Sequence, residues 1–152
     1  MRQIDFKWFL LLIFPVLLHG SSVFDGSWGV NYSDQIDWSQ TSDYDFLIVS
    51  SDVKPPAGTK TRFFAYISVG ELNEDLPGFD LFQDSPDLLM ENPDWAGSRV
   101  WNWKNPSYGH YLLLKLIPSV APSFDGIFLD TIDSPLTFIP KEDLPEAKKN
   151  LV

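Results

Sequence analysis

Two short apolar runs, each ending in a carboxylate, constrain this chain more than any other feature. Tyr66-Ile67-Ser68-Val69 leads into Gly70-Glu71, and Gly126-Ile127-Phe128-Leu129 leads into Asp130. A short, uninterrupted apolar run is the pattern of a strand covered on both faces, as in a parallel sheet. Parallel strands need a crossover between them, so such a chain must alternate strand and connection. A carboxylate at the carboxyl end of such a strand stands where barrel enzymes hold their chemistry.

The other segments fit that alternation. Trp28 to Tyr32 reads as a first strand, and Tyr44 to Ser50 as a second. Between them, Asp34 to Asp45 is polar and reads as a short helical connection, with Trp38 as its packing residue. Ser51 to Thr61 contains Pro55-Pro56-Ala57-Gly58 and leaves no room for a long helix. Arg62 to Val69 is a third strand, strongly β by propensity. A long excursion follows from Glu71 to about Asn105, carrying Pro77-Gly78, Pro86, Pro93 and the indoles Trp95, Trp101 and Trp103. Asn105 reads as a helix N-cap with Pro106 in the first turn, and the helix runs on until Pro118 bends or ends it. Phe124 to Leu129 is the fourth strand. Thr131 onward reads as loop, and Lys141 to Val152 as a charged tail with helical character. No repeat of fixed period is present, which argues against a solenoid.

Charge and residue usage exclude several classes of function. The 152 residues hold 21 Asp and Glu against 11 Lys and Arg, a formal charge of −10. An acidic chain lacks the basic face that nucleic acid requires, but it suits a neutral or cationic substrate. With no Cys, disulfides and thiolate sites are excluded, and His19 and His110 are too scattered for a zinc site. No Gly-rich phosphate loop is present, so neither metal nor cofactor is expected. Residues 1–22 read as a secretory signal. Arg2 and Lys7 precede an apolar stretch from Trp8 to Leu18, and Gly20 and Ser22 suit cleavage before Val23. That stretch is shorter than the roughly 20 residues of a membrane span. The chain is thus expected to be secreted, or periplasmic or extracellular, with residues 23–152 forming one domain.

Trp28-Gly29-Val30-Asn31-Tyr32, Asp43 to Val49, Ala65-Tyr66-Ile67-Ser68-Val69-Gly70-Glu71, Asn92-Pro93-Asp94-Trp95, Asn105-Pro106 and Phe124 to Asp133 together resemble glycoside hydrolase family 114. These are secreted endo-α-1,4-polygalactosaminidases and their relatives. The resemblance covers roughly Ser27 to Asp133. It implies an α/β fold of (β/α)8 TIM-barrel type that cleaves a galactosamine-containing polysaccharide, a cationic amino-sugar polymer, with two carboxylates and no metal. Asp130 matches one catalytic carboxylate, and the family's second is a glutamate on a later strand. A complete barrel takes about 250 residues, so this chain reads as the first half of one, through the fourth strand. The other reading is a half-barrel that binds carbohydrate without cutting it, or that a partner chain completes.

Asp130 is therefore the candidate catalytic residue, against the plainer reading of a cap on the following turn. Glu71 is a candidate for binding an amino sugar or tuning Asp130, provided that the third and fourth strands are neighbours. A salt bridge beneath the excursion is its alternative. Asp133 would bind a sugar hydroxyl or amine, or else N-cap a helix. Tyr32 is the stacking candidate of the first strand, with Trp28 and Tyr66 assigned to the core. Trp95, Trp101 and Trp103 form either a sugar-binding wall or the small core of the excursion.

Overall fold

The computed structural model describes residues 26–102, 104–138 and 141–145. In chain order its strands are β1 (Trp28–Asn31), β2 (Phe46–Ser50), β3 (Arg62–Ser68), β4 (Glu71–Leu72), β5 (Leu88–Glu91), β6 (Arg99–Trp101) and β7 (Gly126–Asp130). The helices are α1 (Phe79–Phe82), α2 (Ser107–Tyr111), α3 (Ile117–Val120) and α4 (Ser134–Phe138), with a π-helical segment Leu112–Leu116 joining α2 to α3. The proposed signal segment and the chain beyond residue 145 lie outside the described residues, as does Trp103.

The four strands expected from the sequence form one parallel sheet in the order β1-β2-β3-β7. Its register pairs Val30 with Ile48, Ile48 with Phe64 and Phe64 with Gly126. One layer up, Ser50 pairs with Tyr66 and Tyr66 with Phe128; above that, Ser68 pairs with Asp130. Side chains alternate along a strand, so these residues share one face. That face is aromatic in its lower layers: Trp28 stacks on Phe46 at 6.2 Å, Phe46 meets Phe64 at 5.7 Å, and Tyr66 stacks on Phe128 at 6.3 Å. Gly126 completes its row because the Phe64 ring lies where a side chain would project, 2.6 Å from a β-carbon built there.

The opposite face is covered by helices. Leu47, Val49 and Phe63 pack against Ile36, Trp38, Val53 and Phe124. Trp38 opens a 3-10 helix, Trp38–Asp43, capped by the Asp37 side chain, and its ring meets Phe63 edge-on at 5.4 Å. Toward β7, Ile67 joins Tyr108, Leu112 and Leu116 in a larger cluster. Each side chain buried there contributes roughly 1.5–3 kcal/mol. A hydrogen bond at the rim contributes about 0.5–1.5 kcal/mol, so the clusters rather than the rim hold the strands in place.

Three segments fold differently from the sequence reading. The excursion is not irregular; β4, β6 and β5 form a small antiparallel sheet in that order. Its strands are only two to four residues long and separated by Pro and Gly, so no periodic pattern marks them. Leu72, Leu88 and Trp101 anchor it in the larger cluster, where Phe82 meets Trp101 at 5.3 Å and Tyr108 at 5.5 Å. Pro118 does not end its helix. It lacks an N–H, and its ring would clash with the carbonyl four residues back. The widened π-helical turn just before it displaces that part of the ladder, and helix continues to Val120. Finally, the expected loop after Thr131 contains α4.

At the top of β3 the backbone of Gly70 lies against β7. A β-carbon built on Gly70 would stand 2.1 Å from the Thr131 carbonyl oxygen and 2.8 Å from the Pro135 ring. Because the obstruction is backbone, no rotamer change relieves it. Gly70→Ala is expected to destabilise the protein by about 1–3 kcal/mol, read as a lower urea midpoint with unchanged slope.

Candidate active site

The carboxyl ends of β1, β2, β3 and β7 open into a cleft of about 810 Å³. Its floor is the upper layer of the aromatic face: Tyr32 just beyond β1, Ser50, Tyr66 and Ser68, and Asp130. Its wall is the excursion, which contributes Asn73, Asp75, Asn92, Trp95 and Ser98. Six carboxylates line it (Asp34, Asp52, Glu71, Asp75, Asp130 and Asp133), and among the described residues no Lys, Arg or His does. Among the described residues no group of three His, Cys, Asp or Glu side chains is gathered for a metal ion.

Asp130 ends β7 and faces two tyrosines. The hydroxyl of Tyr66 interacts with its carboxylate. Burial, reinforced by the nearby charge of Asp130, holds Tyr66 far above the ordinary tyrosine range. Tyr32 packs edge-on against the Tyr66 ring at 4.7 Å. Burial and then the Asp130 charge push Tyr32 up to about 12. Both phenols therefore remain protonated donors at neutral pH.

The residue after Asp130 is strained. Thr131 has φ 61°, the left-handed region that a β-branched side chain seldom enters. Its hydroxyl accepts from the Gly70 N–H at 3.0 Å and lies 2.7 Å from the Ser68 hydroxyl, which itself donates to the Glu71 carbonyl at 2.8 Å. Ser68 is tied down from the other side, where the buried Tyr108 hydroxyl donates to its carbonyl at 3.0 Å.

Glu71 is 4% exposed, and both its oxygens are engaged by uncharged donors. Asn92 Nδ2 donates to Oε1 at 3.0 Å and Ser98 Oγ to Oε2 at 2.6 Å. These two residues are the ends of a tight turn. The Asn92 N–H donates to the Ser98 carbonyl at 2.7 Å, and the Trp95 N–H to the Asn92 carbonyl at 3.1 Å. At its tip Trp95 is 63% exposed on the cleft rim. The salt bridge considered for Glu71 is replaced by this clamp.

The structure thus brings Asp130, Glu71, Asp133, Tyr32 and Trp95 to one cleft. β3 and β7 are neighbours, as the pairing of Glu71 with Asp130 required. Asp133 stands just before α4, and its backbone carbonyl accepts from the Leu136 N–H. Trp101 is corrected: only 4% exposed, it packs between Phe82 and Tyr108 and donates its indole N–H to the Asn105 carbonyl at 2.9 Å. It belongs to the core of the excursion and not to a sugar-facing wall. Tyr66, read as core from its place in an apolar strand, lines the cleft instead. The period-two alternation that puts Tyr66, Ser68 and Asp130 on one face was the available signal. Asp34, Asp52 and Asp75 carried none, because exposed acidic loop residues look alike in sequence.

The family model described as "Glycoside-hydrolase family GH114" matches residues 25–149. The chain belongs to that family. Among solved structures it is similar to the glycoside hydrolase domain of PelA from Pseudomonas aeruginosa, with 24% identity and a TM-score of 0.67 over 82% of this chain and 51% of that one. It is also similar to Ega3 of Aspergillus fumigatus in complex with galactosamine, with 18% identity and a TM-score of 0.61 over 83% of this chain and 53% of that one. The chain therefore spans about half the length of these two structures. At these identities the likeness speaks for the fold, a half-barrel whose parallel sheet is not closed. No curated protein sequence matches the chain.

Alkaline titration tests the electrostatics of the site. An unfolded tyrosine titrates near 10, so Tyr32 keeps its proton about two pH units longer when folded. The stability it contributes is complete below about pH 10 and is lost as pH rises toward 12. In a 13Cζ-tyrosine NMR titration, the Tyr32 midpoint is expected near 12. Asp130→Asn should lower it without restoring it to 10, since burial remains.

Proposed function

We propose that this protein is a secreted glycoside hydrolase that cleaves an α-1,4-linked galactosamine-containing polysaccharide, with Asp130 as one of two catalytic carboxylates. The observation that carries the reading is the placement of Asp130. It ends a rigid strand at the floor of an acidic cleft that, among the described residues, no cationic side chain lines. A carboxylate on a strand end is held more precisely than one on a loop. A cleft lined by six carboxylates favours a sugar bearing an ammonium group over one bearing a carboxylate. The Ega3 structure, solved with galactosamine, supports the same substrate class.

Glycoside hydrolysis uses one carboxyl group as acid and another as nucleophile or base, about 5–5.5 Å apart for retention or 6.5–9.5 Å for inversion. Glu71 is a poor second partner, because it is buried and both its oxygens already accept hydrogen bonds. The second carboxylate is better sought on a later barrel strand, as the family resemblance implies. Tyr66 and Tyr32 present neutral phenols near the Asp130 charge on the same cleft floor. Trp95 offers an aromatic face to a sugar ring at the rim, and Asp133 a carboxylate to its hydroxyl or amine. Residues 1–22 serve as the export segment, and the domain begins near residue 23.

Asp130→Asn is expected to reduce release of reducing ends from partly deacetylated galactosamine polymer by at least about 100-fold, with the thermal transition retained. Full activity in that variant would remove Asp130 from the chemistry. Polymer that co-sediments with the wild-type protein without new reducing ends would favour a binding half-barrel or one completed by a partner chain. Trp95→Ala should weaken polymer binding about five- to tenfold, the loss of roughly 1 kcal/mol of ring contact.

A further inference from the structure

The hydroxyls around Thr131 admit only one direction of hydrogen bonding. A Ser or Thr hydroxyl has a single proton to donate. Ser68 directs its proton to the Glu71 carbonyl, so across the 2.7 Å contact Thr131 must be the donor and Ser68 the acceptor. The Thr131 oxygen then receives the Gly70 N–H. The result is a one-way relay from Gly70 N–H to Thr131, to Ser68, to the Glu71 carbonyl. It joins the end of β3 to the residue that follows Asp130. In addition, the Val69 N–H donates to the Asp130 carbonyl at 3.0 Å, so the Asp130 carbonyl and the Thr131 hydroxyl are both held against the end of β3.

A left-handed conformation in a non-glycine residue costs about 1–3 kcal/mol and persists only where its surroundings impose it. Here the surroundings are this relay and the close passage of Gly70. The strain sits one residue from the candidate reacting group, where a change in backbone direction re-aims a side chain.

We infer that Thr131 is the positioning residue for Asp130: the relay through its hydroxyl holds the left-handed turn that directs the Asp130 carboxylate into the cleft. This rests on Asp130 being a catalytic carboxylate. Thr131 itself does no chemistry.

The test compares Thr131→Val, which keeps the branched shape but removes the hydroxyl, with Thr131→Ser, which keeps the hydroxyl. Misplacing a reacting group by about 1 Å costs on the order of 100-fold in rate. Thr131→Val should therefore lower kcat on galactosamine polymer about 10- to 100-fold with KM changed less than about twofold, while Thr131→Ser restores the wild-type rate. The Tyr32 titration midpoint gives a second readout that needs no turnover. It should fall in Thr131→Val as the Asp130 charge swings away, and return in Thr131→Ser. Unchanged kcat and an unchanged Tyr32 midpoint in Thr131→Val overturn the inference, as does a rate loss that Thr131→Ser does not restore. If the wild-type protein hydrolyses nothing, the hydrolase reading fails by itself, and the Tyr32 midpoint still decides whether Thr131 aims Asp130. Should Thr131→Val fail to fold, Ser68→Ala removes the acceptor from the Thr131 hydroxyl, and the same two readouts apply with the same signs.

Discussion

The passage of the Gly70 backbone against the Thr131 carbonyl is the contact on which the rest of the site depends. It brings the ends of β3 and β7 closer than any side chain would allow, and the short hydroxyl chain that joins them requires that closeness. From this one junction the two halves of the cleft depart. One peptide unit in one direction is Asp130; one residue in the other is Glu71, with the excursion behind it. Trp101 adds a further tie by donating its backbone N–H to the Gly70 carbonyl at 2.9 Å.

The sheet has two unlike faces, and their difference separates folding from chemistry. Toward the helices, aliphatic and aromatic side chains are buried in two clusters that anchor β2 and β3. On the other face the same strands carry rings low down and hydroxyls, phenols and a carboxylate high up. The change from one to the other occurs along each strand at its carboxyl end, where the site of a parallel α/β fold is expected. Trp28 remains 44% exposed on the ring-bearing face, among the described residues.

Much of this was legible in the residues. Runs such as Phe46 to Ser50 and Gly126 to Asp130 announce parallel strands because such strands, meant to be covered on both faces, are nearly continuous in apolar residues up to their carboxyl ends. Their terminal carboxylate marks the site directly. The small sheet of the excursion was not legible: Glu71–Leu72 and Arg99–Trp101 are too short to display a period and are held by packing on Tyr108 and Phe82 rather than by propensity. Trp95 and Trp101, six residues apart and alike in sequence, part company for the same tertiary reason. One lies on a turn beyond the sheet, the other on the strand that enters the core. Tyr66 was hidden by its neighbours, since a phenol in an apolar run looks like filler until the register puts it beside Asp130.

The clamp on Glu71 has a consequence for how such a cleft responds to change. The turn from Asn92 to Ser98 docks at the cleft mouth through two neutral donors and one carboxylate, and its Gly97 N–H donates to the Glu91 carboxylate of β5 at 2.8 Å. The side-chain hydrogen bonds of both anchors converge on Glu71, so β4 and the cleft rim are coupled through a single carboxylate. Whatever displaces Glu71 therefore displaces the rim and its Trp95 with it, while the two apolar clusters beneath the parallel sheet keep their packing.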